Sequence, residues 1–137
     1  MDYPEIRRRA MWELKIQGWL AEEQALALWS LACASCRPIV EIGTYCGLST
    51  AFLAASGNTV YTIDPNEWAQ SKAKLNMSIL GLDGKVVFLN GCSRDMLRLV
   101  PSDIGMLFVD GNHTAECVAS DLRLYSPLVD SDGVCGG

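Results

Sequence analysis

Two hydrophobic patterns alternate along the chain. Short apolar runs, each closed by polar or glycine-rich sequence, predict strands at 39–43, 59–63, 85–89, 104–109 and 134–135. Between them, apolar positions recur every three or four residues, which predicts helices over 48–56, 67–80, 94–99 and 115–124 or beyond. Two further helices precede the first strand. Residues 4–17 carry an Ile6, Ala10, Leu14 stripe; Pro4 suits the first turn and Gly18 the end. Residues 21–35 are dense in apolar side chains (Ala25, Leu26, Leu28, Trp29, Leu31, Ala32), and Arg37-Pro38 stops them. Strands alternating with helices imply a doubly wound parallel α/β sheet with right-handed crossovers. Residues 1–36 then form a helical segment, a cap over the site or a dimer face. Residues 37–137 form the α/β core of one domain.

The first strand leads into Glu41-Ile42-Gly43-Thr44-Tyr45-Cys46-Gly47-Leu48-Ser49-Thr50. A strand, a glycine turn and a helix present backbone N–H groups and a helix N-terminus to a ligand. One glycine is expected to permit an unusual turn conformation and the other to let the backbone approach a bound group. Glu41 is an acid inside an otherwise apolar strand, costly to bury unless it finds partners. The Gly-x-x-x-Gly spacing differs from the Gly-x-Gly-x-x-Gly of dinucleotide-binding folds, which argues against a nicotinamide-dependent oxidoreductase.

In such sheets ligands bind beyond the carboxyl ends of the strands. Four ends are polar or glycine-rich: Gly43-Thr44-Tyr45, Asp64-Pro65-Asn66, Asn90-Gly91-Cys92-Ser93 and Asp110-Gly111-Asn112-His113. Asp64 follows Glu41 by 23 residues, where a carboxylate can accept from both ribose hydroxyls. The competing reading is a helix N-cap before Glu67. Cys92-Ser93 sits where an adenine edge would reach, or Ser93 is simply a helix cap. Asp110 and His113, three residues apart on a turn, suit a divalent metal or a base held near a substrate. His113 is the one histidine, and its intrinsic pKa fits proton abstraction near neutrality. Thr114 is a candidate cap for the helix that follows.

Half of the 137 residues are hydrophobic, enough for a real core, yet no apolar run approaches the roughly 18 residues of a membrane span. The N-terminus has no signal-peptide pattern. Arg7-Arg8-Arg9 reads as a solvated helix face, because a net charge of −5 would repel phosphate and argues against nucleic-acid partners. The six cysteines are scattered. Cys33-x-x-Cys36 lacks the second pair or histidines of a zinc site and ends a helix instead of following a strand. Buried free thiols in a reducing cytoplasm are the expectation.

Taken together, four segments in order resemble the class I S-adenosylmethionine-dependent methyltransferases. Residues 41–50 resemble motif I. Val60-Tyr61-Thr62-Ile63-Asp64 resembles motif II, and Leu89-Asn90-Gly91-Cys92-Ser93 the adenine loop. Leu107-Phe108-Val109-Asp110-Gly111-Asn112-His113, with the later Asp121-Leu122, is similar to the methyltransferase 24 subgroup and to metal-dependent O-methyltransferases of antibiotic sugars. The resemblance implies a Rossmann-like sheet of strand order 3-2-1-4-5. It implies that Glu41, Gly43, Thr44, Tyr45, Gly47 and Ser49 surround the methionine part of the cofactor. Asp64 and Pro65 would hold the ribose, and Cys92 and Ser93 the adenine. Asp110 would be a cofactor or substrate contact or a metal ligand, with Mg as the candidate ion, and His113 the base for a small-molecule hydroxyl acceptor. S-adenosylhomocysteine would be the product. The family's usual strand 6–7 hairpin is lacking from the pattern, and so are the acids that complete the metal site after strand five. A homodimer or higher homo-oligomer covering the strand-five edge is the expected remedy. The alternative function is a non-catalytic cofactor-binding remnant.

Overall fold

The computed structural model describes residues 1–110 and 115–136, apart from the side chains of residues 115 and 116. Five strands form one sheet: β1 (Ile39–Ile42), β2 (Val60–Asp64), β3 (Val86–Asn90), β4 (Ile104–Val109) and β5 (Val129–Gly136). Their order is β3-β2-β1-β4-β5 and each neighbouring pair is parallel, as expected. β1 lies in the middle with all its residues buried. A parallel sheet is covered on both faces, which is why its strands read as apolar runs.

Side chains alternate across the sheet, and the two faces build two cores. On one face Ile39 and Val60 pack with helices α1 (Tyr3–Arg7), α2 (Glu22–Ala34), α3 (Leu48–Ala55) and α4 (Glu67–Leu80), through Ile6, Ala25, Leu28, Phe52 and Met77. On the other, Val40, Ile42, Ile63 and Leu107 pack with Met96 of α5 (Ser93–Met96) and Tyr125 of α6 (Ala115–Tyr125). The alternation also fixes Glu41: it points to the same face as Ile39, toward α3.

The first helix departs from its periodicity. α1 starts at an Asp2 cap, whose carboxylate accepts from the Glu5 N–H at 2.9 Å. After Arg7 the winding loosens into a π-helical turn, Arg8–Glu13. That widening breaks the 3.6-residue register. Ile6 and Ala10 stay buried, Leu14 is only half-buried, and Ile16 takes the next core position. Lys15 then turns the chain with a φ of 51°.

The arginine triplet is not a plain solvated face. Arg7 pairs with Glu22 of α2, and Arg9 donates to the Ile79 and Leu80 carbonyls at 3.2 and 3.4 Å. A cation on the last carbonyls of a helix offsets their partial negative charge. Two of the three arginines therefore fasten the N-terminal segment to α2 and α4. The expectation of buried cysteines also fails. All six are free, but only Cys46 is buried; Cys33, Cys36, Cys92 and Cys135 are exposed and Cys117 is intermediate. β5 is longer than its apolar pair suggested, because a register irregularity between its partners Ile104 and Met106 absorbs the turn-like Asp130-Ser131-Asp132-Gly133.

Candidate functional site

The site grows from the two acids at the ends of β1 and β2. Glu41 is fully buried. Its carboxylate accepts from the hydroxyls of Ser49, Thr50 (2.5 Å) and Thr62 (2.8 Å). Burial pushes the carboxyl up to about 7, opposed by those three hydroxyl bonds and reinforced slightly by Asp110. Ser49 and Thr50 open α3 and Thr62 belongs to β2, so this one acid joins β1, β2 and the helix after the turn. Glu41 was expected beside the cofactor. It lies instead beneath the turn, outside the cavity lining, because its side chain points into the sheet–helix layer.

Asp64 is organised differently. Its Oδ2 accepts from the Tyr45 N–H and its Oδ1 from the Asn66 N–H, both at 2.8 Å. The capping of α4 falls to Asn66, whose side chain accepts from the Ala69 N–H at 3.0 Å. Asp64 is therefore not the helix cap. Each of its oxygens keeps a lone pair after one backbone bond, and the residue lines a large cavity.

That cavity, about 810 Å³, opens at the carboxyl ends of the strands. Its floor and walls include the expected Gly43, Tyr45, Asp64, Pro65, Cys92 and Ser93, together with Asp110. Asn66 of the polar end of β2 and Gly18 and Trp19 of the N-terminal segment join this lining, as do Cys117 and Asp121 on α6, which were not expected there. Thr44 and Ser49 line a small recess beside it, with Gln17 and Leu48. Trp19 stands at the rim, 82% exposed. The size suits a cofactor-sized ligand.

The turn itself is built on left-handed backbone. Gly43 has φ 106°, Gly47 φ 93° and even Tyr45 φ 46°. Gly47 was expected around the methionine part of the cofactor; in the structure it packs against α4. A Cβ there would meet Ala73 Cβ at 3.1 Å, its Cα at 3.2 Å and Met77 Cε at 3.2 Å. The missing side chain leaves room for α4, and Gly47 lines neither the cavity nor the recess.

The loop after β3 is held from α6. Tyr125, fully buried, donates its hydroxyl to the Ser93 carbonyl at 2.6 Å, and the Ser93 hydroxyl donates to Asp121. Asp121 and Tyr125 are one helical turn apart, so a single face of α6 sets this wall. Burial holds the Tyr125 phenol well above its ordinary range, which keeps it a donor. Cys92, not Ser93, is the N-cap residue of α5. An i, i+4 polar pair on an otherwise apolar helix face was the available signal. His113 and the Thr114 cap lie outside the described residues.

Among the described residues, the cavity lining holds three carboxylates, Asp64, Asp110 and Asp121, and no lysine or arginine. Such a site favours a cation and disfavours a pyrophosphate. A sulfonium cofactor with a ribose fits that donor set. A divalent metal is not supported: among the described residues no three His, Cys, Asp or Glu side chains gather to hold one.

Residues 40–136 match a methyltransferase-domain family. No curated protein sequence matches the chain. Among solved structures, it is similar to cofactor-bound Rv0187 from Mycobacterium tuberculosis (MTB), with 24% identity, a TM-score of 0.77, and coverage of 85% of this chain and 55% of that one. It is similar to an O-methyltransferase from Bacillus cereus in complex with S-adenosylhomocysteine (SAH): 21% identity, TM-score 0.74, 93% and 60% coverage. It is also similar to precorrin 8W decarboxylase from Methanobacterium thermoautotrophicum: 27% identity, TM-score 0.72, 89% and 65% coverage. The chain thus spans between 55% and 65% of the length of these neighbours. A likeness this distant speaks for the fold, and one of the three is named for a decarboxylation. The family match, covering most of the chain, goes further: the chain belongs to the methyltransferase 24 family of class I methyltransferases.

Proposed function

We propose that the protein binds S-adenosylmethionine and serves the methylation of a hydroxyl group on a small molecule. The observation that carries this is the carboxylate-lined cavity beside a clamped Asp64, in a chain of a methyltransferase family. Bound there, the cofactor supplies an electrophilic methyl group on a sulfonium. Asp64, fixed by two backbone N–H groups, accepts from the ribose hydroxyls with its remaining lone pairs. The Gly43–Tyr45 backbone faces the aminoacyl end. Ile63, Pro65 and Cys92 offer the adenine an apolar slot, and Ser93 a wall kept in place by Asp121 and Tyr125. Gly18 and Trp19 border the mouth where an acceptor enters. Orienting the acceptor oxygen is the protein's main contribution. His113 is the proposed base for its proton, and Asp110 the neighbouring acid that orients the acceptor.

Calorimetry with S-adenosylmethionine and SAH tests the binding half of this reading. Micromolar binding of either supports it, and binding of neither sinks it. For the catalytic half, His113→Ala should leave SAH affinity unchanged and stop transfer, followed by the mass of the acceptor; persisting transfer would remove His113 from the role. The same reading includes a second copy of the chain along β5, an outer strand of the sheet. Sedimentation velocity should then give a dimer, and a monomer at high concentration would rule the pairing out.

A further inference from the structure

Gln70 sits on α4, is 2% exposed, and lies outside the cavity lining. Its amide nitrogen reaches three acceptors: Leu89 O at 3.1 Å, Thr44 Oγ1 at 3.3 Å and Thr62 O at 3.4 Å. Two of these are carbonyls, which only accept. The amide therefore presents its NH₂ to the cluster, its two N–H groups shared among the three oxygens, with Thr44 Oγ1 accepting. Thr44 and Thr62 hydroxyl oxygens lie 2.7 Å apart. Thr62 gives its proton to Glu41, so Thr44 is the donor between them. With Glu41 ionised, the bonds run from Gln70 to Thr44, from Thr44 to Thr62 and from Thr62 to Glu41. Ser49 and Thr50 donate to the same carboxylate from the other side.

This chain runs beneath the turn that follows β1. It ties together the turn after β1, the body of β2 and the end of β3. Thr44 is followed by Tyr45, whose N–H holds Asp64 Oδ2. A shift of Thr44 is therefore a shift of the group that aims Asp64.

We propose that Gln70 is a positioning residue for the cofactor turn: through Thr44 and Thr62 its amide is anchored to Glu41, holds Thr44-Tyr45 against β2, and so sets the direction of the Asp64 carboxylate. The inference rests on the cofactor-binding reading for its functional consequence, although the geometry it describes exists without ligand. Only a donor-bearing side chain of this length fits. A glutamate would aim its carboxylate at two carbonyls, and a methionine would match the volume with no donor.

Gln70→Met tests it, since the swap keeps size and removes the hydrogen bonds. Two readouts apply: amide hydrogen exchange at Tyr45 in ligand-free protein, and SAH affinity by calorimetry. Tyr45 should exchange about tenfold faster and SAH should bind about tenfold more weakly. Thr44→Val breaks the same chain without touching α4 and should reproduce both effects. The double variant should be little worse than either single one, because the chain is already broken. Leu80→Ala, at the far end of α4, should lower global stability and leave Tyr45 exchange and SAH affinity as they were. Wild-type Tyr45 exchange in Gln70→Met, whatever Thr44→Val shows, would overturn the inference. So would an equal acceleration in Leu80→Ala. Should the wild-type protein bind no SAH, the proposed function falls, and the exchange result alone still decides the role of Gln70.

Discussion

Glu41 and Asp64 are both acids at the ends of adjacent parallel strands, and the fold uses them in opposite ways. Glu41 is sealed, its oxygens taken by three side-chain hydroxyls. Asp64 is clamped by two backbone N–H groups and still faces the cavity. The first is a structural anchor that shapes the turn; the second is an open acceptor poised for a ligand. The difference follows from position along the strands, since Glu41 is level with Thr62, which lies two residues before Asp64 on the same face of the sheet. The Glu41 side chain points into the layer between sheet and α3, whereas Asp64 is the last residue of its strand, where the sheet ends and the cavity begins.

Substitutions should separate the two roles. The largest effect is expected on ligand binding from Asp64→Ala. It should weaken SAH by at least about a hundredfold in calorimetry, through lost charge-assisted hydrogen bonds. Stability should fall by only about 1 to 2 kcal/mol, from two backbone donors losing their acceptor. A variant that binds like wild type would end the ribose assignment. Glu41→Ala should do the reverse. By leaving three buried hydroxyls without an acceptor and a small void, it should cost about 3 kcal/mol in denaturant unfolding. An unfolding midpoint equal to wild type would mean that the hydroxyl network contributes nothing.

Glu41 also makes a prediction about pH. Its folded carboxyl is raised from 4.5 to about 7. The native state then binds a proton over that window that the unfolded chain does not. The associated stability is fully present below pH 4.5 and is lost as pH rises toward 7, by at most about 3 kcal/mol at 1.36 kcal/mol per unit. Glu41→Gln should flatten this part of the stability–pH curve. An unchanged slope in Glu41→Gln would show that another group carries it.

Smaller effects are expected around the pair. Gly47→Ala combines a left-handed φ with contacts to the Ala73 backbone and should cost about 1 to 3 kcal/mol. SAH affinity should change less than stability does; a pure affinity loss would return Gly47 to the ligand site. Trp19→Ala should shift stability by no more than about 0.5 kcal/mol, since the side chain is exposed at the rim. Its effect should appear in acceptor KM. A large drop in thermal stability would make Trp19 a packing residue.

Much of this molecule was readable without coordinates. The apolar runs gave the sheet, and the limits of α4 and β4 match the expected 67–80 and 104–109. Polar strand ends located the cavity, because a parallel sheet leaves its polar sequence at one edge. Other expectations failed for physical reasons. The first helix loosens into a π-helical turn after Arg7, which shifts the later residues out of the expected 3.6-residue register. The arginine triplet found carbonyls and a carboxylate that no local pattern reveals. Cys33 and Cys36 are exposed because they lie at the end of α2, and Cys92 because it forms part of the cavity wall.

What the sequence determined by itself was the order of elements, the glycine turn and the places of the acids along the strands, all of them fixed by local spacing. Tertiary structure alone decided what each acid does. Whether a carboxylate is spent on hydroxyls or left open depends on which side chains other elements bring to it. Ser49 and Thr50 reach Glu41 from α3 and Thr62 from β2, Gln70 feeds that network from α4, and Tyr125 fixes the opposite wall from α6. Those partners lie 8 to 32 residues apart in the chain. Only packing sets their distances, and so their chemistry.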